Sequence, residues 1–469
     1  MSPASSPQPR PALAYAVWLD SLERAGWNAT PATERAALAD ALGRVSAEAI
    51  VARWPSPRAD CSAMDGIAVS AAVLDGTSRG GASPAGAAAG GAAAGGAAAG
   101  GVGVGAGGGV PAGAPVRLPA DSFAWVDTGD AMPDGADLVV MREWLLPQED
   151  GSVIIAAAAG ARGQAPGKNV RRAGEDFAAG EVLVPAGRRL RPGDLAAAAA
   201  AGREAVAVTR PPVAAIIPTG DEIRPVGSAA GPGEIYDTNS LMLAGRCRQI
   251  GAVPVVSAVQ PDDPDALAAE IRRAALGADL VLVIAGSSRG RDDHAAAVLA
   301  QIGSVAVAGV AVRPGHPALL GHAKRLPGGI APVIGLPGYP LATAVIFELF
   351  AAPLLAAIAG MRQPAVPRLL ATLDRDWRSP PGIEDWTLVT LIPADPAGDA
   401  TTRPLPDAAA WPPAASAASQ LPVATPTRRG AGSISRLARA DAWWPIAPDR
   451  VAFAAGTVIE LVPIADGAG

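Results

Sequence analysis

Four apolar runs recur through the second half of the chain, and small or acidic residues close each of them. Leu280–Ala285, rich in Val, Leu and Ile, leads into Gly286, Ser287, Ser288 and Gly290 and then into Asp292 and Asp293. Val213–Pro218 ends at Thr219, Gly220, Asp221 and Glu222; residues 253–259 end at Asp262 and Asp263; residues 332–336 end at Pro337, Gly338, Tyr339 and Pro340. A short continuous apolar run suits a strand covered on both faces, and a buried helix segment has the same pattern. Between the runs, residues 240–250, 264–276, 294–302 and 341–358 carry helical spacing. Strands alternating with helices predict a parallel sheet with helices on both faces. Ligands of such sheets bind outside the carboxyl ends of the strands, so the four closing loops are expected along one edge. Three of these loops carry carboxylates, and small residues at the turns let a backbone approach a ligand closely. Backbone donors beside carboxylates suit a phosphate ester and the cation that neutralises it.

The first half reads differently. Residues 12–49 predict two helices, the second from Leu38, Ala41, Leu42 and Val45 at helical spacing. A loop through Asp65 and Gly66 runs into a short strand, with Asp-Gly as a turn signal. Residues 76–109 are almost entirely Gly and Ala; they cannot bury enough apolar surface to offset their ordering entropy, so a flexible surface insertion is expected. Short strands follow near 114–118, 123–126 and 138–141. Residues 167–176 set Lys168, Arg171 and Arg172 beside Asn169, Glu175 and Asp176, which fits either a solvated turn or a phosphate-and-metal site. An Ala-rich helix is expected at 194–201, stopped by Gly202. Beyond Pro364, short strands separated by Pro, Gly and Asp predict a small β domain, and residues 430–441 interrupt it as a loop and helical turn.

Composition narrows the function. A chain of 469 residues has room for two to four domains. Its 38 basic and 44 acidic residues leave a net charge of −6, which argues against a broad nucleic-acid or anionic-membrane surface. Two cysteines make neither a disulfide framework nor a four-cysteine zinc site, and three histidines leave little for a histidine-based metal centre. The N-terminal residues lack the apolar core of a signal peptide, and the apolar stretch 195–201 is too short to span a bilayer, so a cytoplasmic soluble protein is expected.

Several stretches, taken in order, are similar to one family. Ser62-Ala63-Met64-Asp65-Gly66, the run from Thr128 to Glu143, the Asn169–Gly180 pattern, Thr219-Gly220-Asp221-Glu222, Ile235-Tyr236-Asp237-Thr238-Asn239, Asp262-Asp263 and the Gly432–Asp441 loop resemble motifs of the molybdopterin molybdenumtransferase family, which includes the catalytic C-terminal domain of gephyrin. The resemblance implies a multidomain α/β and β fold. Its parts would be a three-layer molybdopterin-binding domain with a parallel-rich sheet (206–363), an elongated helical/β domain for dimerisation (12–50 with 150–205), a small β-rich domain carrying the Gly/Ala insertion (51–149) and a C-terminal β-barrel-like domain (364–469). It also implies the ligation of molybdate to adenylylated molybdopterin with release of AMP, a homodimer whose cleft involves both subunits, and dealings with the preceding adenylyltransferase and acceptor molybdoenzymes. Acidic family positions carry over to Asp65, Asp176, Glu222, Asp262 and Asp293, of which Glu222, Asp262 and Asp293 would hold Mg²⁺. Ligand-binding positions carry over to Thr219, Gly220, Asp221, Gly286, Ser287, Ser288, Gly290, Arg313, Pro314, His316, Pro337, Gly338 and Tyr339. The chain departs from the family pattern at 284–290, at His316 for a lysine, at Tyr339 for an asparagine and at Gly309 for a lysine; Arg289, Arg291 and Arg313 supply positive charge nearby. The His316 loop follows the later strands and is expected to border the same pocket. Two other readings differ in class: a molybdopterin-binding carrier or regulator without the chemistry, and an adenylyltransferase acting one step earlier. Five retained carboxylates favour the transferase over the first, and the four-domain length over the second.

Overall fold

The computed structural model describes residues 8–76, 115–156, 162–285, 292–362, 368–393, 421–428 and 430–464, with the backbone alone at 292–294. The Gly/Ala run beyond Gly76 and the loop 286–291 lie outside the described residues.

At the centre of the second half is a six-stranded sheet in the order Val253–Val256, Val213–Pro218, Leu280–Ala285, Ile330–Pro337, Leu319–Lys324, Gly303–Ala308. The first four strands are parallel, as the apolar runs predict. The last two are antiparallel additions that the pattern does not reveal. Glycine holds this corner together: a Cβ on Gly303 would stand 1.8 Å from the His322 carbonyl oxygen, and one on Gly321 would stand 2.2 Å from that of Ser304. The four predicted helices are present at Thr238–Gln249, Pro264–Ala275, Asp292–Ile302 and from Pro340 to Ile358, the last with a π turn at Phe347–Ala351.

Successive strand residues face opposite sides, so one sheet builds two cores. Ile216, Leu282 and Ile334 pack with Leu243 and Phe347, while Ile217, Val283 and Val333 pack with Leu267, Ile271 and Val298. Each such burial contributes about 1.5–3 kcal/mol, enough to fix the strand register. The helix from Pro340 to Ile358 is long and apolar enough to cross a bilayer, but Val345, Ile346, Phe347, Phe350 and Leu354 are fully buried in the first core. The edge strand Val253–Val256 keeps Val253, Val255 and Val256 nearly half exposed.

The first predicted helix is present as Pro11–Arg24, buried along Ala14, Trp18 and Leu22, with Trp18 Nε1 donating to the Gly321 carbonyl at 2.8 Å. The second is not. Thr33–Ala37 is a strand paired antiparallel with Ala205–Thr209, and only the 3₁₀ turn Leu38–Asp40 follows. Ala41 is buried while Leu42 is 57% exposed, so the helical stripe never forms; strand pairing across the chain overrides a weak local preference. The Ala-rich helix is Pro192–Ala200, followed by Gly202 at φ +79°.

Gly66–Val69 lies between Ala124–Val126 and Leu138–Met141. Gly66 is required by close approach and not by a turn, since a Cβ there would stand 2.0 Å from the Val140 carbonyl oxygen. In the last part, Glu384–Ile392, Val423–Pro426, Leu369–Leu373, Val458–Pro463 and Ala442–Ile446 pair in that order, and the last returns to the first, which closes a barrel.

His322 lies in the sheet, 8% exposed, and its Nδ1 has no hydrogen-bond partner. Burial first, and then the Lys324 charge, holds its pKa below the usual value. The unfolded chain therefore takes up the proton more readily than the fold. Stability from the neutral ring is present above the unfolded value of about 6.5 and is lost as pH falls through it towards the folded value. Urea midpoints of the native protein are expected to drop between about pH 7 and pH 5.5, and those of His322→Gln to stay flatter over that window. Parallel profiles for the two proteins would remove His322 from the pH response.

Candidate functional site

Because the first four strands are parallel, their carboxyl ends share one edge. Thr219 is tied to it twice: its N–H and its Oγ1 donate to the Ile284 carbonyl at 3.0 and 2.9 Å. Gly220 donates its N–H to the Gln260 carbonyl at 3.1 Å, which locks the first loop to the loop after the edge strand. The two loops also exchange acid contacts. The Asp221 N–H donates to Asp262 Oδ2 at 3.4 Å, and the Asp262 N–H to Asp221 Oδ1 at 3.2 Å. Gly220 sits at φ +136°, and a Cβ there would meet Glu222 Oε2 and Ile223 at 2.8 Å, so glycine is needed to turn Glu222 inward.

Glu222 then enters a small parallel pairing of Ile223–Arg224 with Ile235–Tyr236. Arg224 pairs with Glu234, whose carboxyl is held below its usual range by the Gly231 N–H first and by Arg224 next. Asp237 caps the following helix by accepting from the Ser240 N–H at 2.9 Å. Asn239, 8% exposed, donates from Nδ2 to the Gly338 carbonyl at 2.6 Å and so binds this helix start to the loop after Ile330–Pro337. The Asn239 Oδ1 atom is buried without a partner, and the Gly338 carbonyl fixes which amide atom faces it.

These loops enclose a cavity of about 610 Å³, lined among others by Thr219, Glu222, Asp237, Asn239, Gly338 and Tyr339. Gly432 and Ile434 close it from the C-terminal barrel. Sequence reasoning places Thr219, Glu222, Gly338 and Tyr339 here and misses Asn239, Gly432 and Ile434. Asn239 stands inside a recognised motif, where its side chain reads as a helix-start residue. Gly432 opens a recognised loop motif, but nothing local in that motif points to a cavity at the edge of a sheet far back along the chain.

Other predicted residues lie elsewhere. Arg313 and Pro314 line a second cavity of about 270 Å³ with Asp385, Trp386, Thr387 and Arg428. They leave the sheet because Val312–Arg313 pairs with Glu384–Asp385 of the barrel. His316 is exposed and lines neither cavity, contrary to the expectation that its loop borders the same pocket. A hydrogen bond from the Leu341 N–H to the Ala431 carbonyl, 3.1 Å, joins two residues that line this second cavity. Asp65 lies in the first half of the chain, accepting from the Thr128 hydroxyl and N–H at 2.7 Å each, which lowers its pKa. The Asp176 N–H donates to the Ser56 carbonyl at 2.9 Å. Neither carboxylate lines the sheet-edge cavity. Gly286, Ser287, Ser288 and Gly290, and the side chain of Asp293, lie outside the described residues.

Two family profiles match: "MoeA N-terminal region (domain I and II)" over residues 13–202 and "Probable molybdopterin binding domain" over residues 215–357. A Mycobacterium tuberculosis protein named molybdopterin molybdenumtransferase 2 is 34% identical over 74% of this chain and 80% of its own length. The chain belongs to the molybdopterin molybdenumtransferase family. A Haemophilus influenzae protein named molybdopterin molybdenumtransferase is 29% identical over 74% of this chain and 75% of its own. Among solved structures, a molybdopterin biosynthesis MoeA protein from Pyrococcus horikoshii superposes with a TM-score of 0.70 at 26% identity, covering 98% of this chain and 99% of that one.

The motif resemblance implies Mg²⁺ as the metal. Among the described residues no three His, Cys, Asp or Glu side chains form a cage. None is required, because Mg²⁺ is commonly held by one or two carboxylates together with substrate phosphates. Glu222 and Asp262, with Asp293, would give the all-oxygen donor set it prefers, and the loops that carry the first two already contact each other through Asp221.

Proposed function

We propose that this protein joins molybdate to adenylylated molybdopterin and releases AMP, in molybdenum cofactor biosynthesis. The observation that carries the reading is the convergence of Thr219, Glu222, Asn239, Gly338 and Tyr339 on one cavity at the carboxyl edge of a parallel-rich sheet, in a chain of this family. Their roles follow from their positions. Thr219 fixes the loop that presents Glu222. Asn239 fixes Gly338. Asp262, Glu222 and Asp293 would hold Mg²⁺, whose charge, when it is bound, offsets that of the phosphates. Asp65 and Asp176 fit a homodimer in which the partner subunit completes the cleft. The four-part organisation expected from the resemblance, a cytoplasmic location, and exchange of ligands with the preceding adenylyltransferase and acceptor molybdoenzymes belong to the same reading. A carrier without chemistry would need fewer carboxylates at this edge.

The test is incubation with adenylylated molybdopterin, Mg²⁺ and molybdate, with AMP followed by chromatography. Molybdate-dependent AMP release is expected, and it should stop when the divalent ion is chelated. Release of no AMP from a protein that still binds the pterin would establish the carrier instead.

A further inference from the structure

Tyr339 is held in a way that a surface tyrosine does not need. Its backbone is extended, φ −74° and ψ 127°, as Pro340 demands of the residue before it. The carbonyls around it are all held. Asn239 Nδ2 donates to that of Gly338 at 2.6 Å, the Thr343 hydroxyl donates to those of Pro337 and Tyr339, and the Thr343 N–H donates to that of Tyr339 at 2.9 Å. Asn239 and Thr343 are themselves buried. On this rigid base the aromatic side chain remains 50% exposed at the cavity wall. Behind it stands Gly432 of the barrel lobe, where a Cβ would sit 3.4 Å from Tyr339 Cδ1 and 3.6 Å from Cε1. The ring is therefore buttressed by backbone and kept open towards the cavity.

An aromatic face exposed on an immobile backbone is an arrangement for stacking: the ordering entropy is already spent, and a planar partner gains the contact. We infer that Tyr339 is the platform on which the planar heterocycle of the substrate stacks, and that Asn239 and Thr343 are the residues that position it. The inference rests on the reading of this cavity as the substrate site. It adds to that reading a specificity element of this chain, because the family pattern has asparagine at this position. The substrate has two such rings, the pterin and the adenine, and the chemistry of stacking is common to both.

Titration calorimetry on the full chain, with 6-hydroxymethylpterin in one arm and AMP in the other, distinguishes them. Stacking on an aromatic side chain is worth roughly five- to a hundredfold in affinity. Tyr339→Ala is expected to weaken one arm by about tenfold or more, and that arm identifies the ring; Tyr339→Phe, which keeps the aromatic face, should stay within about threefold of the native protein. Should the alanine variant fold poorly, as judged by circular dichroism, Tyr339→Leu fills the space without a π face and is expected to show the same loss. Unchanged or tighter binding of both ligands by the alanine or leucine variant overturns the platform, as does native protein that binds neither ligand at about 1 mM. AMP release is followed on the same preparations. Its absence counts against the transferase reading, while the titrations still decide the role of Tyr339.

Discussion

Glu222→Gln is expected to lower kcat/KM for molybdate-dependent AMP release by about a hundredfold, with little change in thermal stability. The substitution keeps the volume and removes the charge. Glu222 sits in the loop that follows the first parallel strand, its carbonyl accepts from the Ile235 N–H at 2.9 Å, and the residue lines the cavity. A carboxylate there acts on charge that develops in the reaction, and losing one preorganised electrostatic contributor of that kind costs about 3 kcal/mol. Steady-state kinetics over a range of Mg²⁺ concentrations checks it. If the loss comes from metal binding, added Mg²⁺ should recover part of it. A fall of less than about tenfold at every concentration would take Glu222 out of the reaction.

Phe347→Ala is expected to have the largest effect on stability, about 3–5 kcal/mol, the usual cost of emptying a buried phenylalanine site. Phe347 is fully buried at the start of the π turn, in the core cluster that also holds Leu243 of the sheet region and Trp443 of the barrel. It also borders a cavity of about 520 Å³ between those two parts, so the space left by its removal would join an existing opening instead of collapsing. Urea unfolding followed by tryptophan fluorescence is suited to it, since Trp386 and Trp443 lie edge to face at 6.1 Å on the same cavity. A midpoint equal to the native one would mean that the two parts are held together elsewhere.

The legible part of this chain is the part whose physics is local. Leu280–Ala285 is apolar at every position because both faces are covered, and parallel strands set the ligand edge without further information. Thr219, Glu222 and Gly338 follow from that rule alone. What escapes is decided between distant segments. Thr33–Ala37 reads as helix until Ala205–Thr209 pairs with it. Gly303–Ala308 and Leu319–Lys324 are joined by backbone contact at glycines, which leaves no hydrophobic period to find. Arg313 and Pro314 are drawn from the sheet by a strand of the barrel, and Gly432 reaches the cavity from the barrel itself. Asn239 was visible as a motif residue, but its reach to Gly338 depends on a loop ninety-nine residues away in sequence.

The edge strand Val253–Val256 carries one more consequence. Its inward hydrogen bonds begin with the Val253 N–H to the Pro212 carbonyl, and the Ser257 N–H to the Ile216 carbonyl continues the series. In a parallel ladder alternate residues turn to opposite sides, so Pro254 occupies an outward position and has no N–H to offer there. A strand with three half-exposed valines would otherwise recruit other chains in crowded solution. Pro254 thus withholds one backbone donor from this apolar rim and makes the edge a poorer template for a further strand.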